Sequence, residues 1–300
     1  MKIQSTLKIL STFLIIFISL QCRTQNHLSV ETSFPVLPKE YKWPSKNDQQ
    51  EILKFLKTEK EKYFSYFNKD SIEYGVDFTK SGLIRSLHLI DLNKDGTDEI
   101  IFTGISEGEG NRMDIFKKEK TSYTKIFSAR QNLTDIIIAK DRLYLYISDP
   151  GCCAEYSTIQ KIFKADLNLS ISSFQQTYQS QIINGTKLPD SLFKKAVRFK
   201  VTLEAYKVRF EPKFDDSTKT FYDEMNEFKP SGNIIAKLPN NTVGNALGYM
   251  TDQSGTKWWF VEIDENARLK NHKNDRPDQT NKFPTHLRGW INSKYIQKLN

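Results

Sequence analysis

The spacing of hydrophobic residues changes along the chain, and the first regular stretch has the period of a helix. Between residues 47 and 67 the apolar positions recur every three or four residues. They are Ile52, Phe55, Leu56, Tyr63 and Phe67. This pattern predicts one amphipathic helix over about 47–67, with Ser45 and Asp48 forming a capping box at its start. We expect the apolar face of this helix to pack on the sheet that follows.

From residue 72 to about 183 the pattern is that of short strands rich in Ile, Phe, Tyr and Thr, separated by Gly, Asn, Asp and Ser. The predicted strands cover residues 83–90, 100–104, 112–117, 123–127, 135–138, 142–147, 156–163 and 169–177. Residues 77–82, between the helix and the first strand, are interpreted as a turn. The whole is expected to be mainly β, of the α+β class, with an antiparallel sheet.

The N-terminus has the pattern of an export signal. Lys2 and Lys8 precede an apolar run over residues 9–20, which is too short to span a bilayer as a helix. Cys22 follows the run directly and resembles the lipidated cysteine of bacterial lipoproteins, which implies cleavage after residue 21 and a lipid anchor at Cys22. Plain secretion, to the periplasm or outside the cell, is the alternative. Residues 22–45 hold three prolines and many polar residues, and we interpret them as a tether.

The most informative motif is DLNKDGTDE at residues 91–99. Oxygen-bearing side chains stand at its positions 1, 3, 5 and 9 and a glycine at position 6, an arrangement that lets a short loop surround a hard cation. The motif therefore predicts a calcium site. An Asn/Asp/Gly-rich hairpin turn that binds no ion is the alternative interpretation.

This motif differs from an EF-hand because its position 12 is Phe102, within a predicted strand, and not a Glu that begins a helix. Over about residues 84–104 it resembles the calcium loops of FG-GAP and VCBS repeats, which are extracellular modules. The resemblance implies that Asp91, Asn93, Asp95 and Glu99 supply side-chain oxygens and Thr97 a backbone carbonyl. One such motif does not make a propeller, which needs several blades.

Four segments of the C-terminal third follow each other in order: VRFEP at 208–212, GNIIAKLP at 232–239, WWFVEI at 258–263 and GWINSKYI at 289–296. In this order they resemble a bacterial Src-homology-3 domain, with insertions at 214–231 and 266–287. The resemblance implies a five- or six-stranded barrel over about 198–300, after a separate helix-plus-sheet domain at 46–190. It also implies a groove that binds cell-wall peptide, peptidoglycan or another extended ligand.

Five aromatic residues are the candidates for contacts in that groove. They are Tyr249, Trp258, Trp259, Trp290 and Tyr295. Because side chains alternate along a strand, Trp258 and Trp259 are expected to face opposite sides, and one of them to lie in the core. The alternative is that all five are packing residues.

The remaining cysteines are the adjacent pair Cys152 and Cys153. In an oxidising envelope they could form a strained, easily reduced disulfide and act as a redox sensor. Two small, partly buried thiols behind a turn are the plainer interpretation.

Charge is distributed unevenly along the chain, whose formal net charge is +8. Residues 22–190 carry 23 basic and 23 acidic side chains, whereas residues 191–300 carry 19 basic and 13 acidic ones. For an exported chain this excess suits an anionic wall polymer or lipid headgroups better than nucleic acid.

No pattern of an enzyme stands out. His27, His88, His272 and His286 lie in no catalytic or zinc-binding spacing, and the chain has no P-loop and no dinucleotide-binding glycine pattern. The sequence therefore predicts a non-enzymatic envelope lipoprotein that binds peptidoglycan or a protein partner. A hydrolase with a dispersed site, or a thiol sensor at Cys152 and Cys153, is the alternative.

Overall fold

The computed structural model describes most of the chain between residues 41 and 299. The described residues are 41–43, 49–68, 72–73, 76–105, 111–130, 132–139, 141–149, 157–166, 173–218, 232–264 and 285–299. Several predictions lie outside them, namely the signal at 1–21, the lipid anchor at Cys22, the capping box and the pair Cys152 and Cys153.

The regular elements of the described residues are two helices, two short 3₁₀ helices and seventeen strands. The helices are α1 (Gln49–Tyr63) and α2 (Lys80–Arg85), and the 3₁₀ helices are Ser65–Asn68 and Ser293–Tyr295. Strands β1 to β10 are Ile72–Glu73, Val76–Asp77, Leu87–Ile90, Glu99–Ile105, Asn111–Lys118, Tyr123–Ala129, Asn132–Ala139, Arg142–Asp149, Ser157–Asp166 and Gln175–Ile183. Strands β11 to β17 are Ser191–Val201, Tyr206–Arg209, Ile234–Leu238, Val243–Thr251, Lys257–Ile263, His286–Asn292 and Ile296–Lys298.

The strands form three sheets. Strands β1 and β2 pair with each other, and β3-β4-β5-β6 form a four-stranded antiparallel meander. The largest sheet has eleven strands and runs β17-β11-β14-β15-β16-β10-β9-β8-β7, with β12 and β13 attached beside β16. This mainly β architecture with antiparallel pairing confirms the fold class predicted from the sequence.

Helix α1 covers one face of the four-stranded sheet, as its apolar stripe predicts. Ile52, Phe55 and Leu56 pack against Ile100 and Phe102 of β4. All five side chains are at most 5% exposed, so this layer is dry and closely packed. Burying each such side chain contributes about 1.5–3 kcal/mol.

The opposite face of the same sheet packs on strands β7, β8 and β9. Ile101, which lies between two residues that face the helix, points to this second layer together with Met113 and Ile115. Their partners include Leu143 and Leu145 of β8. Because strand side chains alternate, one run of apolar residues in β4 serves both layers.

The C-terminal strands β11 to β17 curl around a core of their own. This core includes Phe199, Val208, Leu238, Trp259 and Ile291. Among the described residues, the strand pairing leaves this curled sheet open beside β13. The closed five- or six-stranded barrel therefore stays a prediction. Residues 286–298 form β16, the second 3₁₀ helix and β17.

Strands β10 and β16 join the two parts of the chain by parallel pairing, with Ser180 opposite His286 and Ile182 opposite Arg288. The predicted boundary between the parts, at residues 191–197, lies inside β11. The two parts therefore share one continuous sheet, and a flexible linker does not separate them at this point.

The prediction of a strand over 83–90 is only half right, because α2 occupies its first residues. Thr79 caps this helix by accepting a hydrogen bond from the Gly82 amide at 3.2 Å. Asp77 in turn accepts the Thr79 amide at 2.9 Å. The sequence predicts a turn over residues 77–82, where the structure has the end of β2 and the start of α2. Neither helix of the described residues has the length and apolarity needed to cross a bilayer.

Candidate functional site

The loop at residues 91–99 joins β3 to β4 and is closed around the carboxylate of Asp91. The two oxygens of Asp91 accept the backbone amides of Asp95, at 3.1 Å, and Gly96, at 3.0 Å. Lys94 and Gly96 have φ values of +59° and +88°, so the chain turns sharply here. Gly96 adopts this conformation without the steric cost that a side chain would bring.

The next two oxygen-bearing side chains lie within the same turn. Asp95 accepts the Thr97 amide at 2.8 Å and the side-chain amide of Asn93 at 2.7 Å. These hydrogen bonds lower the pKa of Asp95, the one from Asn93 most of all. The carboxylate of Asp95 is thus held in its charged form at the exposed tip of the loop.

Glu99 closes the loop from the sheet side. It is 2% exposed, and one of its oxygens accepts the Leu92 amide at 2.9 Å. Burial raises its pKa to about 7, and the nearby charges of Asp95 and Asp91 add to the shift. None of the described residues forms an ion pair with this carboxylate.

The donors of the loop fit the chemistry of calcium, which prefers several carboxylate and amide oxygens in a flexible arrangement. Three carboxylates, from Asp91, Asp95 and Glu99, interact electrostatically, and a divalent cation would neutralise the buried one. A group of three or more His, Cys, Asp or Glu side chains already gathered at metal-binding distance is not found in the part of the chain that the structure describes.

The five aromatic candidates do not form an exposed groove together. Trp258, Trp259 and Trp290 are 0%, 4% and 0% exposed, so they are packing residues in the described structure. Tyr249 is half-buried and Tyr295 is 41% exposed. The expected alternation is present, since Trp258 and Trp259 belong to different clusters, but both faces of β15 are covered.

The outer face of β15 and β16 is covered because the preceding segments fold over it. The indole of Trp290 donates to the Lys187 carbonyl at 2.5 Å, and that of Trp258 to the Asp252 carboxylate at 2.9 Å. The ring of Phe214 lies 4.9 Å from that of Trp258. These contacts could not be read from the alternation of residues within one strand.

No family model, curated protein or solved structure matches this chain. The resemblances to calcium loops and to bacterial Src-homology-3 domains therefore depend on the motifs quoted above and on the geometry of the residues that carry them.

The most extensive polar cluster that the sequence did not reveal lies at the junction of β10 and β16. Arg288, 1% exposed, donates from Nε to Glu262 at 2.9 Å and from its two terminal nitrogens to Gln160 and the Tyr178 hydroxyl, both at 2.8 Å. The Tyr178 hydroxyl donates to Glu262. The ring of His286 stacks on Tyr178, with 5.2 Å between centroids. This buried network joins the two parts of the large sheet.

His88 lies in β3, shortly before the loop at 91–99, and its environment is apolar. Its ring stacks on Trp43 with 3.6 Å between centroids and 4° between planes. Burial lowers its pKa to about 4. It is therefore neutral at physiological pH and serves as a packing residue.

We expect His88 to make the protein less stable in mild acid. Below about pH 6.5 the unfolded chain takes up a proton on this histidine, while the folded protein does not until about pH 4. The stabilising contribution is therefore complete above pH 6.5 and is lost as the pH falls towards 4. Because the ring is only half-buried, solvent screening keeps the loss to about 1–2 kcal/mol.

Urea unfolding of the wild type and of His88→Phe at several pH values measures this effect. The variant keeps an aromatic ring beside Trp43 but removes the titrating group. The wild type should lose more stability than the variant between pH 6.5 and 4, and parallel curves would contradict the assignment.

Proposed function

We propose that this protein is a non-enzymatic, exported protein of the bacterial cell envelope, anchored by lipid at Cys22. In this proposal its C-terminal part binds peptidoglycan, cell-wall peptide or an envelope protein, and calcium stabilises its N-terminal part. The observation that carries the proposal is the loop between β3 and β4, in which the buried Glu99 faces the charges of Asp91 and Asp95.

A calcium loop of this kind suits a protein outside the cytoplasm. Extracellular modules bind calcium with dissociation constants of about 10⁻⁴–10⁻³ M, so occupancy needs the millimolar calcium found outside cells. The carboxylates of Asp91 and Asp95 lie on the exposed side of the loop, where an ion can enter without opening the core. The ion would be held by Asp91, Asn93, Asp95 and Glu99, with the Thr97 carbonyl completing the set.

A binding role for the C-terminal part is supported by its rigid construction and its charge. Residues 289–296, the most specific part of the predicted barrel motif, form the end of β16, the second 3₁₀ helix and the start of β17. Asn292 caps that 3₁₀ helix by accepting the Lys294 amide at 2.8 Å. The excess of basic residues in this third of the chain favours a polyanionic ligand.

Co-sedimentation with isolated sacculi tests the proposed function. The mature protein should pellet with the sacculi without releasing soluble muropeptides, and should remain bound with or without added calcium if the ion only stabilises the fold. Solubilised muropeptides would instead support the hydrolase. Absence of the protein from the pellet would leave a protein partner as the ligand to seek by cross-linking in the envelope.

The lipid anchor is tested by labelling cells with radioactive palmitate. The wild-type protein should take up label, and Cys22→Ala should not. An unlabelled wild type that appears in the periplasm or the medium would favour plain secretion instead.

A further inference from the structure

We propose that an anionic polysaccharide binds across β11, β14, β15 and β17, at a surface formed by Phe193, Tyr249, Lys257 and Lys298. We call it the lysine-aromatic surface. The inference depends on the proposed binding function and adds the place and the chemical class of the ligand.

Two partly exposed aromatic rings, from β11 and β14, meet at this surface and contact the buried Trp259 of β15, which is 4% exposed. Tyr249 and Trp259 lie opposite each other in the pairing of β14 and β15. The ring of Phe193, from β11, is 5.1 Å from that of Tyr249 and 5.6 Å from that of Trp259. Phe193 and Tyr249 are half-buried, so part of each ring remains accessible while the core holds the cluster rigid.

Exposed lysines stand around these rings. The ammonium of Lys257 lies over the Tyr249 ring, 4.9 Å from its centroid, and that of Lys298 lies 5.7 Å from the centroid of Trp259. Positive charge and flat apolar rings are therefore presented side by side.

These lysines are not used to hold the fold together. Lys257 and Lys298 form no ion pair with any described residue. The two acids closest in sequence to Lys257 have other partners. Asp252 accepts hydrogen bonds from Ser254, Thr256 and Trp258, and Glu262 accepts them from Arg288 and Tyr178. The positive charge of the surface therefore remains available to a ligand.

The backbone of β11 argues against a peptide that would add to the sheet as a further strand. Between Leu192 and Val197 the pairing with β14 shifts through a bulge. Exposed lysines 194 and 195 lie in that bulge. Bulges and lysines are the features by which strand edges avoid pairing with other chains. A ligand at this surface would therefore be recognised by side chains and not by the backbone.

A polysaccharide with carboxylate or phosphate groups matches both features of the surface. The apolar faces of sugar rings pack on aromatic rings, while the anionic groups pair with the lysine ammonium groups. The charge pairs at this exposed position are weakened by salt, whereas the ring contacts are not. Binding should therefore fall with ionic strength but not vanish.

Binding of defined polymers tests the ligand class, with calorimetry as the measurement. Polygalacturonate is expected to bind, and neutral dextran and poly-glutamate of the same length to bind at least about tenfold more weakly. Equal binding of poly-glutamate and polygalacturonate would overturn the polysaccharide assignment, because charge alone or an acidic peptide would then suffice. Absence of binding to polygalacturonate and to a phosphate-bearing polymer, wall teichoic acid, would overturn it as well.

Two variants test the place. Lys257→Glu with Lys298→Glu should weaken polygalacturonate binding about tenfold, and Tyr249→Leu severalfold with an unchanged melting temperature. Lys54→Glu with Lys57→Glu makes the same charge change on the exposed face of α1 and should leave binding unaltered. Equal losses in both lysine pairs would overturn the assigned surface. Sacculi that bind the wild type and the Lys257/Lys298 variant equally would reject this surface but not the proposed function, whereas sacculi that bind neither would reject the proposed function for this ligand.

Discussion

Replacing Arg288 by Met is expected to lower the free energy of unfolding by about 3–5 kcal/mol. The guanidinium is 1% exposed and holds Glu262, Gln160 and the Tyr178 hydroxyl together. Without it, Glu262, which is 4% exposed, becomes a buried charge whose basic partner is gone. Urea unfolding followed by tryptophan fluorescence measures the loss.

A double variant shows whether the unpaired charge is the cause. Arg288→Met combined with Glu262→Met removes both ions, and such replacements of a whole buried pair are often close to neutral. The double variant should therefore be at least about 2 kcal/mol more stable than Arg288→Met alone. A double variant as unstable as the single one would attribute the loss to packing and would contradict the electrostatic account.

Removal of calcium is expected to have the second largest effect. At 10 mM calcium, which is about 10 to 100 times the dissociation constant of such modules, bound ion stabilises the fold by about 1.4–2.7 kcal/mol. Chelation should therefore lower the melting temperature of the wild type, and Asp95→Ala should abolish this dependence. Identical melting curves with and without chelator would contradict the prediction that calcium stabilises the fold.

Glu99→Gln distinguishes the effect of a bound ion on stability from the effect of the loop alone. In chelator at pH 8 the variant should be at least as stable as the wild type, because it removes a buried carboxylate that Asp95 and Asp91 repel. Its side-chain oxygen can still accept the Leu92 amide. In 10 mM calcium the order should reverse. Asp98→Asn makes the same charge change next to Glu99 without touching the predicted ligands and should keep the full response to calcium.

The helix and most strands of the N-terminal part could be predicted because their signals are local, whereas their division between two sheets was not predicted. The apolar stripe of 47–67 led to α1, observed at Gln49–Tyr63 with a 3₁₀ helix after it. The alternating strands between 100 and 166 were located to within a few residues, since each is bounded by turn residues that do not depend on distant partners.

The strand predicted after these lies too early in the sequence. The pattern predicted a strand over 169–177, whereas β10 runs from Gln175 to Ile183. Its second half is fixed by parallel pairing with β16, more than 100 residues later in the chain. The same distance explains why the Arg288 network was missed, because its members are spread between residues 160 and 288.

The predicted calcium site and the predicted groove also differ in how far apart their residues lie in the sequence. All five predicted calcium ligands lie in one nine-residue loop, so their proximity was set by the spacing itself. The groove was predicted from residues on separate strands, and three of its five aromatic candidates, Trp258, Trp259 and Trp290, are buried in the described structure. Phe193, which joins Tyr249 and Trp259, lies before the predicted barrel and carried no signal of its own.

Parallel pairing of β10 with β16 also has a consequence for biosynthesis. Until the last residues of the chain have been synthesised, β10 has no neighbour on that side, and its apolar residue Ile182 has no cover from Trp290. A polypeptide cut short by a premature stop or by a protease would expose a row of unpaired amides and carbonyls to other nascent chains. We therefore expect truncation after residue 264 to yield aggregates and not a smaller soluble fragment.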